Sequence, residues 1–262
     1  EEEISRQHTL SSSIAYAEWN KSKVNLIDTP GFANFFSDAR AALSVVDGVL
    51  VAVDGVSGPE VQTEKMWEEA DAQELPRIVV LTRTDRERAS LDRTLDALHT
   101  SFGRAITPIQ FPIGEEKHFT GVVDLVAMKA YTFAADGSGK MTEGAVPADM
   151  TDKVNAAREA LVEMVAEADD SLMERFFESG TLSQEDLLKG LRTGVANRKI
   201  VPLVCTSATL NIGVQPLLDA VLAYLPAASE RTIKATDKAG AETSFQVSEN
   251  GPPAVCVWKT IA

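Results

Sequence analysis

Residues 24–32 of the chain read VNLIDTPGF, an apolar run that ends at Asp28 and continues into a Pro-Gly turn. Its aliphatic and β-branched side chains predict a strand buried in a parallel sheet, with Asp28 at the carboxyl end. Open α/β sheets bind their ligands at that edge. A carboxylate there can hold Mg²⁺ directly or through water, and the N–H of Gly31 can approach a phosphate because glycine has no side chain. The stretch therefore predicts both a fold and a metal-phosphate site.

Strand and helix patterns alternate on either side of this stretch. Strands are predicted at 12–19, 23–28, 48–54, 77–82, 106–111 and 199–205, and helices at 36–46, 60–72, 90–101 and 213–225. The runs GVLVAVD at 48–54 and RIVVLT at 77–82 are continuously apolar, as in strands buried on both faces. We therefore predict an α/β fold with a doubly wound, mainly parallel sheet.

An α+β insertion is predicted to interrupt this sheet. Short strands at 120–125 and 129–133 are followed by a turn-rich stretch at 135–147 and by three acidic helices at 152–167, 170–178 and 184–195. The expected domains are a main domain at 1–111 and 199–228, an inserted subdomain at 112–198, a linker at 229–250, and the first strand of a following β domain at 251–262.

The bulk composition restricts the classes of protein that the chain can represent. A formal net charge of -14 argues against direct sequence-specific binding of nucleic acid. We expect no membrane partner, because no apolar run is long enough to span a bilayer. Two cysteines, Cys205 and Cys256, cannot form a disulfide framework, which favours the cytoplasm. His8, His99 and His118 lack metal-ligand spacing, and we interpret them as ordinary surface residues.

Two further strands of the predicted sheet end in residues suited to a nucleotide base. TRTD at 82–85 follows one strand, and its last residue, Asp85, can accept two hydrogen bonds from the N–H groups of a guanine edge. TSA at 206–208 follows another strand, and its backbone N–H groups could meet the base carbonyl. With DTPG at 28–31, three strand ends carry chemistry in a consistent order.

These motifs resemble the GTP-binding domain of translational GTPases, and bacterial elongation factor G in particular. DTPG at 28–31 is similar to the switch II motif, and residues 45–67 and 75–89 are similar to the segments that follow it. Residues 112–131 resemble the start of the subdomain that elongation factor G carries inside this domain. GVQPLLDAVLAYLP at 213–226 resembles the closing helix, and VCVWKTIA resembles the first strand of the next domain. The resemblance implies a P-loop GTPase fold with GTP or GDP and Mg²⁺ as ligands.

The resemblance also implies roles for individual residues. Thr9 in RQHTL aligns with the switch I threonine that ligates Mg²⁺, and Asp28 would hold the same ion through water. The Gly31 N–H would contact the γ-phosphate.

The base-binding residues are implied in the same way. Asp85 would bind the guanine edge, and Ser207 with Ala208 would contact its oxygen. Arg83 would lie where the family lysine packs along the base.

One departure from the family pattern concerns the phosphate-binding loop. The motif G-x-x-x-x-G-K-[ST] does not occur in the sequence. A strand, loop and helix of roughly 30 residues or more would be missing from the centre of the sheet. We therefore expect the chain to be part of a longer protein in which this loop precedes Glu1.

Three substitutions affect the expected site itself. Phe32 stands where the family places a histidine that orients the attacking water, and Asn34 replaces an aspartate. Thr82 replaces the asparagine of the guanine motif Asn-Lys-x-Asp. Hydrolysis should therefore be slow or should use another group, and nucleotide binding should be weakened while guanine specificity remains.

We therefore predict a GTP-dependent switch domain of an elongation factor G-like GTPase that acts on the ribosome, largely through other domains. Two alternatives remain open. One is an ordinary translocation GTPase in which Phe32 is tolerated, and the other is a nucleotide-free interaction module that keeps the fold.

Overall fold

The computed structural model describes residues 2–236, 239–248, 250–251 and 255–260. The helices within these ranges are α1 (Glu2–Arg6), α2 (Phe36–Leu43), α3 (Val61–Ala72), α4 (Leu91–Phe102), α5 (Thr151–Glu167), α6 (Asp170–Ser179), α7 (Gln184–Ala196) and α8 (Val214–Tyr224). The strands are β1 (Ser13–Trp19), β2 (Ser22–Asp28), β3 (Val49–Asp54), β4 (Arg77–Thr82), β5 (Ile106–Pro108), β6 (Gln110–Ile113), β7 (Gly121–Asp124), β8 (Lys129–Phe133), β9 (Met141–Gly144), β10 (Val201–Cys205), β11 (Thr232–Thr236) and β12 (Glu242–Gln246). No helix in this described part combines the length and apolar character that crossing a bilayer requires.

A parallel four-stranded sheet forms the centre of the main domain. Its strand order is β3-β4-β10-β5, and every pair in it is parallel. The two inner strands are almost completely buried, as their continuous apolar sequences predict. Ile78 and Leu203, one on each inner strand, are fully inaccessible to solvent. The predicted α/β class with a mainly parallel sheet is therefore confirmed.

The strand that ends at Asp28 lies outside this sheet, and its predicted placement as a buried parallel strand is wrong. β2 pairs antiparallel with β1, with Asp28 opposite Ser13. Within the described residues, β2 is hydrogen-bonded to β1 and to no other strand. The apolar side chains of Val24, Leu26 and Ile27 on β2 are therefore not fully buried.

A polar anchor joins this hairpin to the main domain. The indole N–H of Trp19, at the end of β1, donates to Asp219 of α8 over 2.7 Å. The side-chain amide of Asn20 donates to the same carboxylate oxygen over 2.9 Å. The turn end of the hairpin is therefore tied to the helix that follows β10.

The strand predicted at 106–111 is divided at Ile109. The Ile109 N–H donates to Leu203 in the parallel sheet, while its carbonyl accepts from Leu125 beside the antiparallel sheet. The chain thus passes from one sheet to the other at this residue, and residues 110 and 111 belong to the second sheet rather than to the first.

The insertion between β5 and β10 has the predicted α+β character. Its antiparallel sheet has the order β6-β7-β8-β9, and α5, α6 and α7 follow it along the chain. β9 falls within the stretch that the sequence predicts to be turns, where it pairs with β8 as an exposed edge strand. Val122, Leu161 and Leu187 belong to the same apolar core as Ile78 and Leu203. The insertion is therefore packed on the parallel sheet.

The segment after α8 differs from the predicted linker. β11 and β12 form an antiparallel hairpin within residues 229–250, because their backbones pair even though most of their side chains are exposed. Of the strand predicted at 251–262, residues 251 and 255–260 form no strand, and residues 252–254, 261 and 262 lie outside the described residues. Lys259 in this segment contacts Asp38 of α2 at 3.0 Å and the carbonyl of Ser12 at 3.1 Å.

Candidate nucleotide-binding site

The open end of the β1–β2 hairpin brings the predicted magnesium ligands together. The hydroxyl of Thr9 donates a hydrogen bond to Oδ2 of Asp28 over 3.0 Å. The segment that carries Thr9 is held by the carboxylate of Glu3, which accepts from the N–H groups of Leu10 at 2.7 Å and Ser11 at 3.2 Å. These backbone hydrogen bonds lower the pKa of Glu3.

These two oxygens belong to the residues predicted to hold a magnesium ion. Mg²⁺ usually keeps several of its waters, so a carboxylate can hold it either directly or through a bound water. Thr9 Oγ1 and Asp28 Oδ2 lie 3.0 Å apart. No cluster of three or more His, Cys, Asp or Glu side chains lies within metal-binding reach in the described part of the chain. The pair is compatible with the expected arrangement, in which Thr9 would ligate Mg²⁺ directly and Asp28 would hold the ion through water.

The turn after Asp28 leaves room for a phosphate. A Cβ placed on Gly31 would meet no atom within 4 Å, so the space beside this residue is open. The next residue, Phe32, is 57% exposed. Its ring meets the imidazole of His8 edge to face, with 4.3 Å between the ring centroids and 86° between the planes. A phenyl ring has no atom that could orient a water molecule by a conventional hydrogen bond.

The contact of His8 with Phe32 does not follow from the sequence pattern. The Nδ1 atom of His8 is buried and has no hydrogen-bond partner among the described residues. An isolated histidine carries no spacing signal, so the sequence alone favours an ordinary surface residue. Its position directly before Thr9 is the signal that could have found it.

The ends of β4 and β10 are joined where the loops predicted to bind the base begin. The N–H and hydroxyl of Thr84 both donate to the carbonyl of Thr206, at 3.4 Å and 2.9 Å. The N–H and hydroxyl of Thr206 donate in turn to the carbonyl of Leu81. Because these strands are neighbours in the sheet, the loop of Asp85 and the loop of Ala208 lie side by side.

The groups that could hold a guanine differ in whether they already make hydrogen bonds within the protein. The carboxylate of Asp85 is half-buried and has no hydrogen bond or ion pair within the described ranges. Ser207 is fully buried, and its N–H donates to the carbonyl of Ile212 while its hydroxyl accepts from Leu210. Ala208 is exposed, and its N–H makes no hydrogen bond to another described residue. Ser207 therefore stabilises the turn that presents Ala208.

Thr82 and Arg83 are both directed towards β3. The Thr82 hydroxyl donates to the carbonyl of Val53 over 3.2 Å. Arg83 has a φ of 57° and donates from Nη1 to the carboxylate of Asp54 over 2.8 Å. Burial raises the pKa of Asp54, but hydrogen bonds from the Val56 and Ser57 N–H groups and from Arg83 outweigh it, so this pKa is lowered overall.

The predicted site residues thus lie in two separate groups in the structure. Thr9, Asp28, Gly31 and Phe32 lie at the open end of the hairpin, and the loops of Asp85 and Ala208 lie at the end of the parallel sheet. No hydrogen bond or ion pair joins the two groups among the described residues.

A separate cavity lies between the main domain and the insertion. It has a volume of about 210 Å³, and its lining includes Ser90, Phe111, Asp149 and Lys153. Neither Asp85 nor Ala208 lines it. Because Thr84 also lines it, the cavity adjoins the candidate base site.

The parallel sheet, the DTPG turn and the paired base loops define a P-loop GTPase type of α/β domain. The sequence matches the family model described as the elongation factor Tu GTP-binding domain over residues 1–227. The chain belongs to this family of translation GTPases.

The structure is also similar to a known crystal structure of a protein from Thermus thermophilus. The TM-score is 0.81 and the sequence identity is 31%, over 88% of this chain and 34% of that one. The chain therefore spans about a third of the length of the Thermus protein.

Proposed function

We propose that this domain is the GTP-dependent switch of an elongation factor G-like protein that acts on the ribosome in the cytoplasm. The observation that carries the proposal is the contact between Thr9 and Asp28, whose oxygens lie 3.0 Å apart, together with the open space at Gly31, three residues after Asp28. In a nucleotide-loaded protein these groups would meet Mg²⁺ and the γ-phosphate from two separate chain segments.

The switch depends on how those two segments are held. Thr9 precedes β1, and Gly31 follows β2, so each belongs to a connection at the open end of the hairpin. Contacts to Mg²⁺ and the γ-phosphate would order both connections, and loss of the γ-phosphate would release them, as in order–disorder switches generally. The bound Mg²⁺ supplies charge neutralisation for the phosphates.

Guanine would be bound where β4 and β10 end. Asp85 accepts from the N–H groups of the base, and the N–H of Ala208 donates to its oxygen. Thr82, directed towards Val53, does not replace the amide of the family asparagine. The missing amide weakens nucleotide binding by roughly 1–3 kcal/mol if its partners stay unpaired. Arg83 would have to leave Asp54 to pack along the base.

Hydrolysis is proposed to be slow compared with family members that have a histidine at position 32. Loss of a group that stabilises the transition state costs on the order of 10²–10³-fold in rate. The exposed ring of Phe32 has no atom that could hold a water molecule in line for attack.

The insertion supports the link to elongation factor G. The main domain is interrupted between β5 and β10 by an antiparallel sheet of four strands, β6–β9, followed by the three helices α5–α7. Ribosome binding is proposed to be mediated largely by domains outside this chain.

Ribosome affinity in two nucleotide states tests the switch. The full-length protein should bind ribosomes more tightly with Mg²⁺ and a non-hydrolysable GTP analogue than with GDP. Equal affinity in both states would contradict the proposal. Failure of the full-length protein to bind a fluorescent GTP analogue would favour a nucleotide-free interaction module.

The variant Phe32→His tests the proposed slow hydrolysis. It should raise ribosome-stimulated GTP turnover, and Phe32→Ala should not. Turnover at the rate of an ordinary translocation GTPase in the natural protein, unchanged in Phe32→Ala, would instead favour that class. No gain in Phe32→His would mean that another part of the site limits hydrolysis.

A further inference from the structure

A second cavity lies at the amino end of the parallel sheet. It has a volume of about 200 Å³, and Arg77 and Val201, the first residues of β4 and β10, both line it. The loops that carry Asp85 and Ala208 leave the same two strands at their carboxyl ends. A ligand in this cavity would therefore not overlap a nucleotide bound at those loops.

Two arginines supply the polar part of this cavity. Arg77 and Arg198 line it together with one acidic residue, Asp71. The side chain of Arg77 is 2% exposed, whereas those of Arg198 and Asp71 are 34% and 55% exposed, so the cavity reaches solvent on their side. In a chain with a formal net charge of -14, a cavity lined by two cations and one anion is a local exception.

The buried guanidinium of Arg77 is held in place but is not fully paired. Its Nη2 donates to Asp71 over 2.5 Å and to the carbonyl of Leu75 over 3.3 Å, and its Nε donates to the same carbonyl over 3.4 Å. Its Nη1 donates to the carbonyl of Trp67 over 3.3 Å. Because a guanidinium has five N–H groups, one N–H of Nη1 has no acceptor among the described residues. Arg77 can therefore donate to a ligand without losing a bond that fixes it.

The electrostatic surroundings of Arg77 favour an added anion. Burial lowers the pKa of Arg77 and the contact with Asp71 raises it, but the positive charge of Arg198 lowers it further. Arg198 itself pairs with Glu74 over 3.0 Å, and this carboxylate is 74% exposed and therefore well screened by water. A negative charge in the cavity that the two arginines share would offset both the burial and the repulsion.

Aromatic side chains hold Arg77 in position. The indole of Trp67 stacks on the ring of Phe102, with 4.3 Å between the ring centroids and 18° between the planes. The guanidinium carbon of Arg77 lies 4.5 Å from the centroid of the same indole. Because this stack fixes the guanidinium before a ligand arrives, less entropy is lost on binding.

We propose that this cavity binds a phosphate group, with Arg77 and Arg198 as the residues that hold it. The N–H groups of arginine match the oxygens of both phosphate and carboxylate. One bidentate arginine can occupy both oxygens of a planar carboxylate, whereas a tetrahedral phosphate also offers oxygens to a second guanidinium. Two arginines on one cavity therefore favour phosphate. This proposal does not rest on the GTP-dependent switch.

Titration of the full-length protein with inorganic phosphate tests the site. The protein is first saturated with Mg²⁺ and a non-hydrolysable GTP analogue, so that the nucleotide site does not take up the added phosphate. Calorimetry should then show saturable binding of phosphate, and acetate at the same ionic strength should not bind. Phenyl phosphate separates two sources of the group. Tighter binding than inorganic phosphate would indicate a phosphate monoester whose organic part lies along the aromatic side chains, and equal or weaker binding would indicate free phosphate.

Three variants assign the binding to this cavity. Arg198→Gln removes a guanidinium and should weaken phosphate binding roughly 10-fold or more. Glu74→Gln breaks the ion pair of Arg198 but keeps its guanidinium, so phosphate should bind at least as tightly as in the natural protein. Arg104→Gln, at an exposed position next to the lining residue Ala105, is the matched control and should bind phosphate as the natural protein does.

Thermal unfolding and affinity for the GTP analogue show that the variants are folded, and both should match the natural protein. An Arg198→Gln variant that is folded and binds phosphate with unchanged affinity would overturn the proposal. Absence of saturable phosphate binding in the natural protein would also overturn it. Acetate binding as tightly as phosphate would contradict the assignment to a tetrahedral anion.

Discussion

The hydroxyl of Thr9 donates a hydrogen bond to Asp28 over 3.0 Å, which ties the segment before β1 to the end of β2. The two residues come together because β1 and β2 pair antiparallel, with Ser13 opposite Asp28. The same two oxygens are the groups proposed to bind Mg²⁺, Thr9 directly and Asp28 through water. We therefore expect Mg²⁺ and nucleotide to replace an internal hydrogen bond rather than to fill an unstructured site.

Replacing Asp28 by asparagine tests its expected contact with Mg²⁺. Asp28→Asn removes the negative charge and keeps the size of the side chain. A hydrogen bond to a charged group is worth about 1.5–3 kcal/mol, so affinity for a fluorescent GTP analogue in Mg²⁺ should fall roughly 10- to 100-fold. Asp170→Asn, at an exposed position of α6, is the control and should bind as the natural protein does. Unchanged affinity in Asp28→Asn would contradict the assignment.

The base specificity of Asp85 can be reversed by a change of one functional group. Asp85→Asn replaces an acceptor oxygen by an N–H donor. Guanine offers an amine at its 2-position and xanthine a carbonyl, so the variant should lose affinity for GTP and gain affinity for xanthosine triphosphate. Competition of the two nucleotides against a fluorescent analogue measures the change. If the preference for GTP survives in the variant, Asp85 does not contact the base edge.

The ion pair of Arg83 with Asp54 predicts a pH dependence. The folded-state pKa of Asp54 is lowered, so its contribution to stability is present above the unfolded-state pKa and is lost as the pH falls through the folded-state value. Arg83→Met removes one of the contacts that lower this pKa, which should therefore rise towards its ordinary value. Titration of the carboxyl ¹³C resonance between about pH 2 and 6 measures it. Arg86→Met, at a nearby exposed position whose side chain has no hydrogen bond or ion pair among the described residues, is the control, and an unmoved midpoint in Arg83→Met would refute the prediction.

Gly213 supports the turn that presents Ala208. It has a φ of 80°, and a Cβ added to it would lie 2.4 Å from the carbonyl oxygen of Cys205. Gly213→Ala should therefore cost more than the roughly 1–2 kcal/mol of the left-handed backbone alone, and it should also weaken GTP binding. Gly137→Ala is the matched control, because Gly137 also has a positive φ, 74°, but no atom lies within 4 Å of the position of its added Cβ.

Thermal unfolding and analogue binding of the two glycine variants check this prediction. Gly137→Ala should lose only the backbone cost and should keep its nucleotide affinity. Equal destabilisation of both variants would mean that the Cys205 carbonyl moves away from the added Cβ without a loss of folding free energy.

The parallel sheet could be predicted from the sequence because its inner strands are continuously apolar. β4 and β10 are buried on both faces, and RIVVLT and VPLVC have no other simple interpretation. The placement of β2 could not be predicted, because an apolar run shows that a strand forms but not which strand lies beside it. β9 was missed because MTEG lacks the β-branched pattern, and backbone pairing with β8 decides its conformation.

The candidate site could be predicted where a residue follows a strand end and not where a contact is tertiary. Asp85 and Ala208 follow neighbouring strands, so their proximity follows from the topology. The burial of Ser207 and the edge-to-face contact of His8 with Phe32 depend on how separate segments pack. Single-residue patterns do not carry this information.

Hydrogen–deuterium exchange of the full-length protein in two nucleotide states is the most direct test of the proposed switch. With Mg²⁺ and a non-hydrolysable GTP analogue, exchange should slow in residues 6–12 and 28–33 relative to GDP, while α7 of the insertion should exchange equally in both states. If both nucleotides bind and the two segments exchange at the same rate with either, the domain does not sense the γ-phosphate through Thr9 and Gly31.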